Sequence, residues 1–159
     1  SMAAATLLHP LLVVCAVAAA FQRRPDRFYR LLPLRAALSP TEARENIRTI
    51  YDAVIDVRMS AEHRLEGRIV DSHCIPAQLW EHGMHLPRDA FVPDVLEQFE
   101  TDCRLLCVCG DGRRSELAAQ QLEQEGFAVD YIDGGLDAWA EQSLELEVED
   151  DGGLVGSYV

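Results

Sequence analysis

Apolar residues fall along this chain in short bursts of differing period. Ala53-Val54-Ile55-Asp56-Val57 and Leu105-Leu106-Cys107-Val108 are continuous β-rich runs, as expected of strands buried on both faces. Ala128 to Ile132 predicts a third strand. Between them, Val92, Val95, Leu96 and Phe99 recur at helical spacing, and Glu116 to Glu125 predicts a helix stopped by Gly126. Ser39-Pro40-Thr41-Glu42 is a capping box with proline in the first turn, so a helix should run from there to about Ile50. Residues 60–66 predict a short helix, and Gly67-Arg68-Ile69-Val70 a turn into a short extended piece. Asp71 to Arg88, with Pro76, Gly83 and Pro87, reads as irregular. Gly134-Gly135 should be a tight turn before a last helix, Leu136 to Glu141. Strands alternating with helices at this spacing predict an α/β fold, an open parallel sheet flanked by helices.

Three segments follow. Residues 1–38 hold an apolar helix and an arginine- and proline-rich connector, 39–142 the α/β domain, and 143–159 an acidic tail whose Glu145–Asp151 stretch reads as a solvated face. Ala3 to Phe21 is nearly all apolar and would span ~28 Å as a helix, close to the thickness of a bilayer core. Arg23, Arg24, Arg27, Arg30 and Arg35 come next, and by the positive-inside rule would lie in the cytoplasm. This extra N-terminal helix therefore has two readings: a membrane anchor, or a helix packed on protein. The corresponding locations are the inner membrane, with the domain facing the cytoplasm, or the cytoplasm itself. A secretory signal is disfavoured, because no positive charge precedes the apolar run.

The formal net charge of −13 over 159 residues argues against nucleic acid or an anionic membrane surface as a general partner. Any anion site must be built locally. Cys15, Cys74, Cys103, Cys107 and Cys109 form an odd, unevenly spaced set without a C-x-x-C pair, which suits free thiols better than a disulfide framework or a zinc site. No metal is expected. A Cys107–Cys109 disulfide would be strained, since residues two apart on a strand have Cα atoms ~6.6 Å apart.

One segment carries chemistry. Cys109-Gly110-Asp111-Gly112-Arg113-Arg114-Ser115 joins the most apolar strand to a helix, at the strand end where ligands bind in open α/β sheets. A helix start offers unpaired N–H groups and partial positive charge. Gly110 and Gly112 can turn successive amides inward, while Arg113 and Arg114 add full charge. Such a loop favours a thiolate at Cys109 and holds an anion. Cys107, in mid-strand, reads as structural. Asp111 is the dissonant residue, a negative charge that would disfavour both the thiolate and an anionic donor.

The run Cys-x-x-Gly-x-Arg-Ser, Cys109 to Ser115, resembles the active-site loop of single-domain rhodaneses. Asp56-Val57-Arg58 with Glu62 and Gly67-Arg68-Ile69 resembles the family's Asp-Val-Arg…Glu-Phe…Gly-His-Ile segment, and Asp133-Gly134-Gly135-Leu136-Asp137-Ala138-Trp139 its terminal Gly-Gly…Ala-Trp segment. The resemblance covers about residues 39–142. It departs after Ile69, where Val70-Asp71-Ser72-His73 replaces the family's Pro-Gly-Ala run. The N-terminal His9-Pro10-Leu11-Leu12 stretch is also similar to membrane-anchored rhodaneses with one leading helix.

The resemblance implies a rhodanese-like fold and sulfurtransferase activity. Cys109 would take sulfane sulfur from a small donor such as thiosulfate, as a persulfide, and pass it to a thiol, to cyanide or to an acceptor protein, without cofactor. Gly110 to Ser115 would bind the anion, and Asp56 and Arg58 would serve as pocket or structural support. Two alternatives share the fold. Cdc25-like phosphatases have a loop one residue longer, with arginine six positions after the cysteine, where this chain has Ser115. Non-catalytic rhodanese-like modules bind proteins but usually lack the cysteine. His73, Cys74, His82 and His85 could border the pocket, although a plain loop role is preferred. Trp139 should fill the core.

Overall fold

The computed structural model describes residues 36–149 and 155–158. The apolar segment 3–21 and the arginine-rich stretch through Arg35 lie outside the described residues. Among those described, no helix is long and apolar enough to cross a membrane.

Five parallel strands form the main sheet: β1 (Ala37–Leu38), β2 (Ala53–Asp56), β3 (His73–Cys74), β6 (Arg104–Val108) and β7 (Ala128–Ile132), in the order β1-β7-β6-β2-β3. β6 is central, and its side chains alternate between two cores, as the pleat requires. Leu105 and Cys107 join Ile55, Val57, Phe91, Val95, Leu122 and Phe127 on one face. Leu106 and Val108 join Ala43, Tyr51, Val54, Ile132, Leu136 and Trp139 on the other. The covering helices are α1 (Pro40–Asn46), α2 (Ser60–Leu65), α3 (Phe91–Gln98), α4 (Arg113–Gln124) and α5 (Gly135–Glu141). The α1 capping box forms as its sequence requires. The Ser39 amide donates to Glu42 Oε2 at 2.9 Å, and the Glu42 amide to Ser39 Oγ at 3.3 Å.

Local structure departs from the sequence reading in several places, the first being α1, which ends at Asn46 rather than near Ile50. The last two connector residues are not linker but edge strand β1, held where the amides of Tyr131 and Asp133 donate to the carbonyls of Ala36 and Leu38 at 3.1 and 2.8 Å. Two residues are too few to show a period. The extended piece comes at His73–Cys74 rather than after Gly67, where only Arg68 makes an isolated bridge, to Glu147. The supposedly irregular stretch contains an antiparallel hairpin, β4 (Gln78–Glu81) and β5 (Met84–Pro87). Its turn residues, His82 and Gly83, both have positive φ, but histidine is a poorer signal for such a turn than asparagine or aspartate. Helix α4 begins at Arg113, three residues before Glu116.

The acidic tail is also structured. β8 (Leu146–Glu149) pairs with β9 (Val155–Tyr158), and the Arg68 and Glu147 backbones exchange hydrogen bonds of 2.8 Å in both directions. Arg68 Nε reaches Glu147 Oε2 at 3.1 Å, and Leu144 and Leu146 pack against the second core. Leu144, Leu146 and Val148 alternate with glutamates, a period-two pattern that the charge run masks.

Leu122 is wholly buried between α4 and the sheet. Leu122→Ala should lower the unfolding free energy by about 3 kcal/mol, seen in urea as an earlier midpoint with unchanged slope.

Candidate active site

The site begins where β6 ends. Cys109 follows the strand and has no exposed surface. The chain then turns through Gly110 to Gly112 into α4. Gly112 sits at φ 90°, and a Cβ there would lie 2.9 Å from the Gly134 nitrogen, so only glycine lets the loop approach the turn after β7 so closely. Three contacts converge on Cys109 Sγ. The Ser115 amide donates to it at 3.3 Å, Ser115 Oγ lies at 3.5 Å, and Asp111 Oδ1 at 3.8 Å. Ser115 Oγ donates in turn to the Gly112 carbonyl at 2.9 Å, which fixes the buried hydroxyl. The amides of Gly110, Asp111 and Gly112 have no protein acceptor among the described residues. Unpaired donors, a sulfur atom and the start of a twelve-residue helix thus occupy one turn of chain.

A second segment buttresses this loop. The Leu136 amide donates to the Cys109 carbonyl at 2.8 Å, and the Asp137 amide to the Gly110 carbonyl at 3.0 Å. Gly135, at φ 58°, lies between, and a Cβ there would fall 2.3 Å from both carbonyl oxygens. The glycine pair that reads as a tight turn is also the surface against which the cysteine loop is set. The sequence shows the glycines but not that they meet this loop.

The loop's charges are arranged differently from the sequence reading. Arg113 and Arg114 do not offer two free cations. Arg114 makes a bidentate ion pair with Glu62 of α2, at 2.6 and 2.9 Å. Arg113 is 89% exposed, with Nε 3.6 Å from Asp111 Oδ2, and its amide donates to Asp111 Oδ1 at 3.1 Å. Each arginine therefore has its own carboxylate. Partial burial by itself would raise the Glu62 carboxyl. Hydrogen bonds from Arg114 and the Met59 amide, with the charges of Arg114 and Arg58, outweigh it and hold Glu62 below the usual carboxylate range. The hydrogen bond to Glu62 likewise raises the Arg114 guanidinium. Glu62 is the residue missed as a site candidate. Its place at the third position of α2, facing an arginine 52 residues away, leaves no local signal.

Asp56 and Arg58 lie in the interior, not on an open surface. Arg58 Nη2 donates to Asp56 Oδ2 at 2.8 Å and to the Gly67 carbonyl at 2.7 Å, and Nη1 reaches Glu66 at 3.3 Å. Desolvation would lower the Arg58 guanidinium, but the Asp56 hydrogen bond and charge reverse this and raise it. These bonds bracket α2 and so reach the cysteine loop through Glu62. Cys107 is sealed in the core, where burial pushes its thiol up. Burial also raises the half-buried Cys74 and Cys103 thiols. His73 packs edge-on against Phe99 and His85 against Trp80. Trp139 is buried, with Nε1 donating to the Glu145 carbonyl at 3.1 Å. No cluster of potential metal ligands occurs among the described residues.

Comparison with known proteins bears on the family and the fold. Residues 39–142 match the family model of the rhodanese-like domain. A thiosulfate sulfurtransferase of Vibrio cholerae is 37% identical over 68 residues, 42% of this chain and 63% of the relative, so the chain spans under two thirds of that protein. Among solved structures, a rhodanese-related protein from Thermoplasma volcanium superposes with a TM-score of 0.54 at 25% identity, covering 69% of this chain and 95% of the other. A rhodanese-like domain protein from Staphylococcus aureus shares the fold at a TM-score of 0.55 and 24% identity, covering 72% and 98%.

Two outcomes follow from the geometry. Gly135→Ala should destabilise the protein by more than about 1 kcal/mol, and by more than Gly126→Ala, a positive-φ glycine with open space around it; urea unfolding of both variants makes the comparison. Because Glu62 is held below its ordinary range, its ion pair should contribute fully above that range and lose its contribution as pH falls through the lowered value. Glu62→Gln should therefore cost about 1.5 kcal/mol at neutral pH, and the difference from wild type should fade in unfolding measurements carried into acid.

Proposed function

Since this chain belongs to the rhodanese-like domain family, we propose that it is a sulfurtransferase in which Cys109 carries sulfane sulfur as a persulfide. The observation that carries this reading is the Ser115 amide donating to Cys109 Sγ at 3.3 Å, beside three amides without a protein acceptor. Negative charge on the sulfur, or on one sulfur added to it, is met there by donors already in place, so little reorganisation accompanies transfer. The Vibrio cholerae relative is by name a thiosulfate sulfurtransferase, which makes thiosulfate the natural first donor to assay.

The reaction has two displacements. The Cys109 thiolate attacks the outer sulfur of the donor. With thiosulfate, the S–S bond breaks, sulfite leaves with the electron pair, and Cys109 becomes a persulfide anion. A thiophile such as cyanide then attacks the terminal sulfur, and the Cys109 thiolate leaves. Carrier and nucleophile are the same atom, so charge and electrons balance without a redox partner. Gly110 to Ser115 supply the cradle, while Asp56 and Arg58 position α2, and Glu62 on α2 pairs with Arg114.

Intact-mass measurement after donor treatment tests this. Wild type and Cys107→Ser should each gain one sulfur atom, and Cys109→Ser none. Loading of Cys109→Ser equal to wild type would remove Cys109 from the mechanism, and a wild type that never loads would refute sulfur transfer.

A further inference from the structure

Among the described residues, Asp111 is the acidic side chain that reaches the Cys109 sulfur. Its Oδ1 lies 3.8 Å from Sγ, and the side chain is half exposed. An amide-lined cradle suits an anion, and a carboxylate at its mouth opposes one. The nearby cations leave no positive surplus to offset it, because each is already paired with a carboxylate. Arg114 is neutralised by Glu62. Arg58, further in, is matched by Asp56 and Glu66. Arg113 faces solvent and stands against Asp111 itself. Around Cys109 each cation already has a carboxylate, leaving no surplus positive charge for a dianion.

Resting on the sulfurtransferase reading above, we propose that Asp111 selects the sulfur donor: a hydropersulfide, R–S–S–H, in preference to a dianion such as thiosulfate. The two donors differ at the atom transferred. The outer sulfur of a hydropersulfide carries a hydrogen, whereas that of thiosulfate carries none. Oδ1 accepts one amide hydrogen, from Arg113, and keeps capacity for another. A sulfur approaching Sγ, to which it will bond at ~2.05 Å, comes within reach of that oxygen. Asp111 thus holds the protonated, electrophilic form of the donor, and its charge repels a donor that is all anion.

The step balances. The Cys109 thiolate forms an S–S bond to the outer sulfur, the donor's own S–S bond breaks, and its electron pair leaves on the inner sulfur as R–S⁻. The hydrogen travels with the transferred sulfur, giving Cys109–S–S–H, and R–S⁻ takes from solvent a proton equivalent to the one Cys109 had lost. In sum, one hydropersulfide and one thiol give one thiol and one hydropersulfide.

The test is single-turnover loading of wild type, Asp111→Asn and Arg113→Ala with thiosulfate and with glutathione hydropersulfide, read by intact mass. Asparagine keeps an oxygen for the Arg113 amide but loses the charge. Wild type should load faster from the hydropersulfide. Asp111→Asn should move the ratio of rates toward thiosulfate by about tenfold or more. Arg113→Ala, by unmasking Asp111, should move it the other way. A purely structural role would slow both donors alike and leave the ratio fixed, which would overturn the proposal, as would faster loading of wild type from thiosulfate. If wild type loads from neither donor, the sulfurtransferase reading falls, and this inference falls with it.

Discussion

Two hydrogen bonds between neighbouring loops set the geometry on which the site depends: Leu136 to the Cys109 carbonyl and Asp137 to the Gly110 carbonyl. A peptide has two polar sides. Engaging both carbonyls on the α5 side leaves the next amides of the loop without a protein partner. Such amides, in a loop that runs from half-buried Gly110 through exposed Asp111 to buried Gly112, are open to a ligand, a sulfur or water. The strand order makes the contact available, because β6 and β7 are parallel neighbours and the loops leaving them emerge side by side. Glycine at 112 and 135 removes the two Cβ atoms that would hold those loops apart. On its other side the loop is continuous with α4, which Ala118, Ala119 and Leu122 seat in the core. The cysteine is therefore fixed from both directions, by the Leu136 bond to its carbonyl and by the packing of α4.

A second chain of interactions orients the charged groups. Asp56 and Arg58 are fully desolvated, and a buried pair of this kind seldom adds net stability over apolar residues of the same size. Its consequence here is positional. Arg58, which precedes α2, also binds the Gly67 carbonyl and Glu66 just after it, and α2 presents Glu62 to Arg114. An arginine beside the sulfur is thereby held in one orientation with its charge already matched. In the function proposed for it, Cys109 then relies on backbone amides more than on free cations.

The parallel sheet, its central strand and the cysteine loop were legible in the sequence because each is local: a continuous apolar run, two glycines and a helix start within a dozen residues. The capping box at Ser39 was legible for the same reason. What escaped was either too short or long-range. β1 has two residues, and β3 has two. The β4–β5 turn uses His82 where a stronger turn former was to be expected. β8 kept the alternation of a strand but was read by its glutamates. The pairing of Glu62 with Arg114, and the seat of Gly135 on the cysteine loop, join segments remote in sequence. Both residues lay inside the motifs that resembled the family; their physical roles became visible only in three dimensions.

The chain's overall charge also takes on a narrower meaning. A formal charge of −13 suggests a protein that repels anions at every point. At physiological ionic strength the Debye length is about 8 Å, so distant carboxylates weigh little on an event at Sγ. What remains is the handful of groups around the loop, where Arg114 is matched by Glu62 and Arg113 by Asp111. Such a balance is close to neutral, and a balance near zero is where one charge matters most. The amides are fixed by the fold and serve any sulfur anion alike. In the proposed reaction, discrimination between donors therefore falls to a charged side chain that is both close to the sulfur and free to interact with what arrives, and the half-exposed carboxylate of Asp111, 3.8 Å away, meets both conditions.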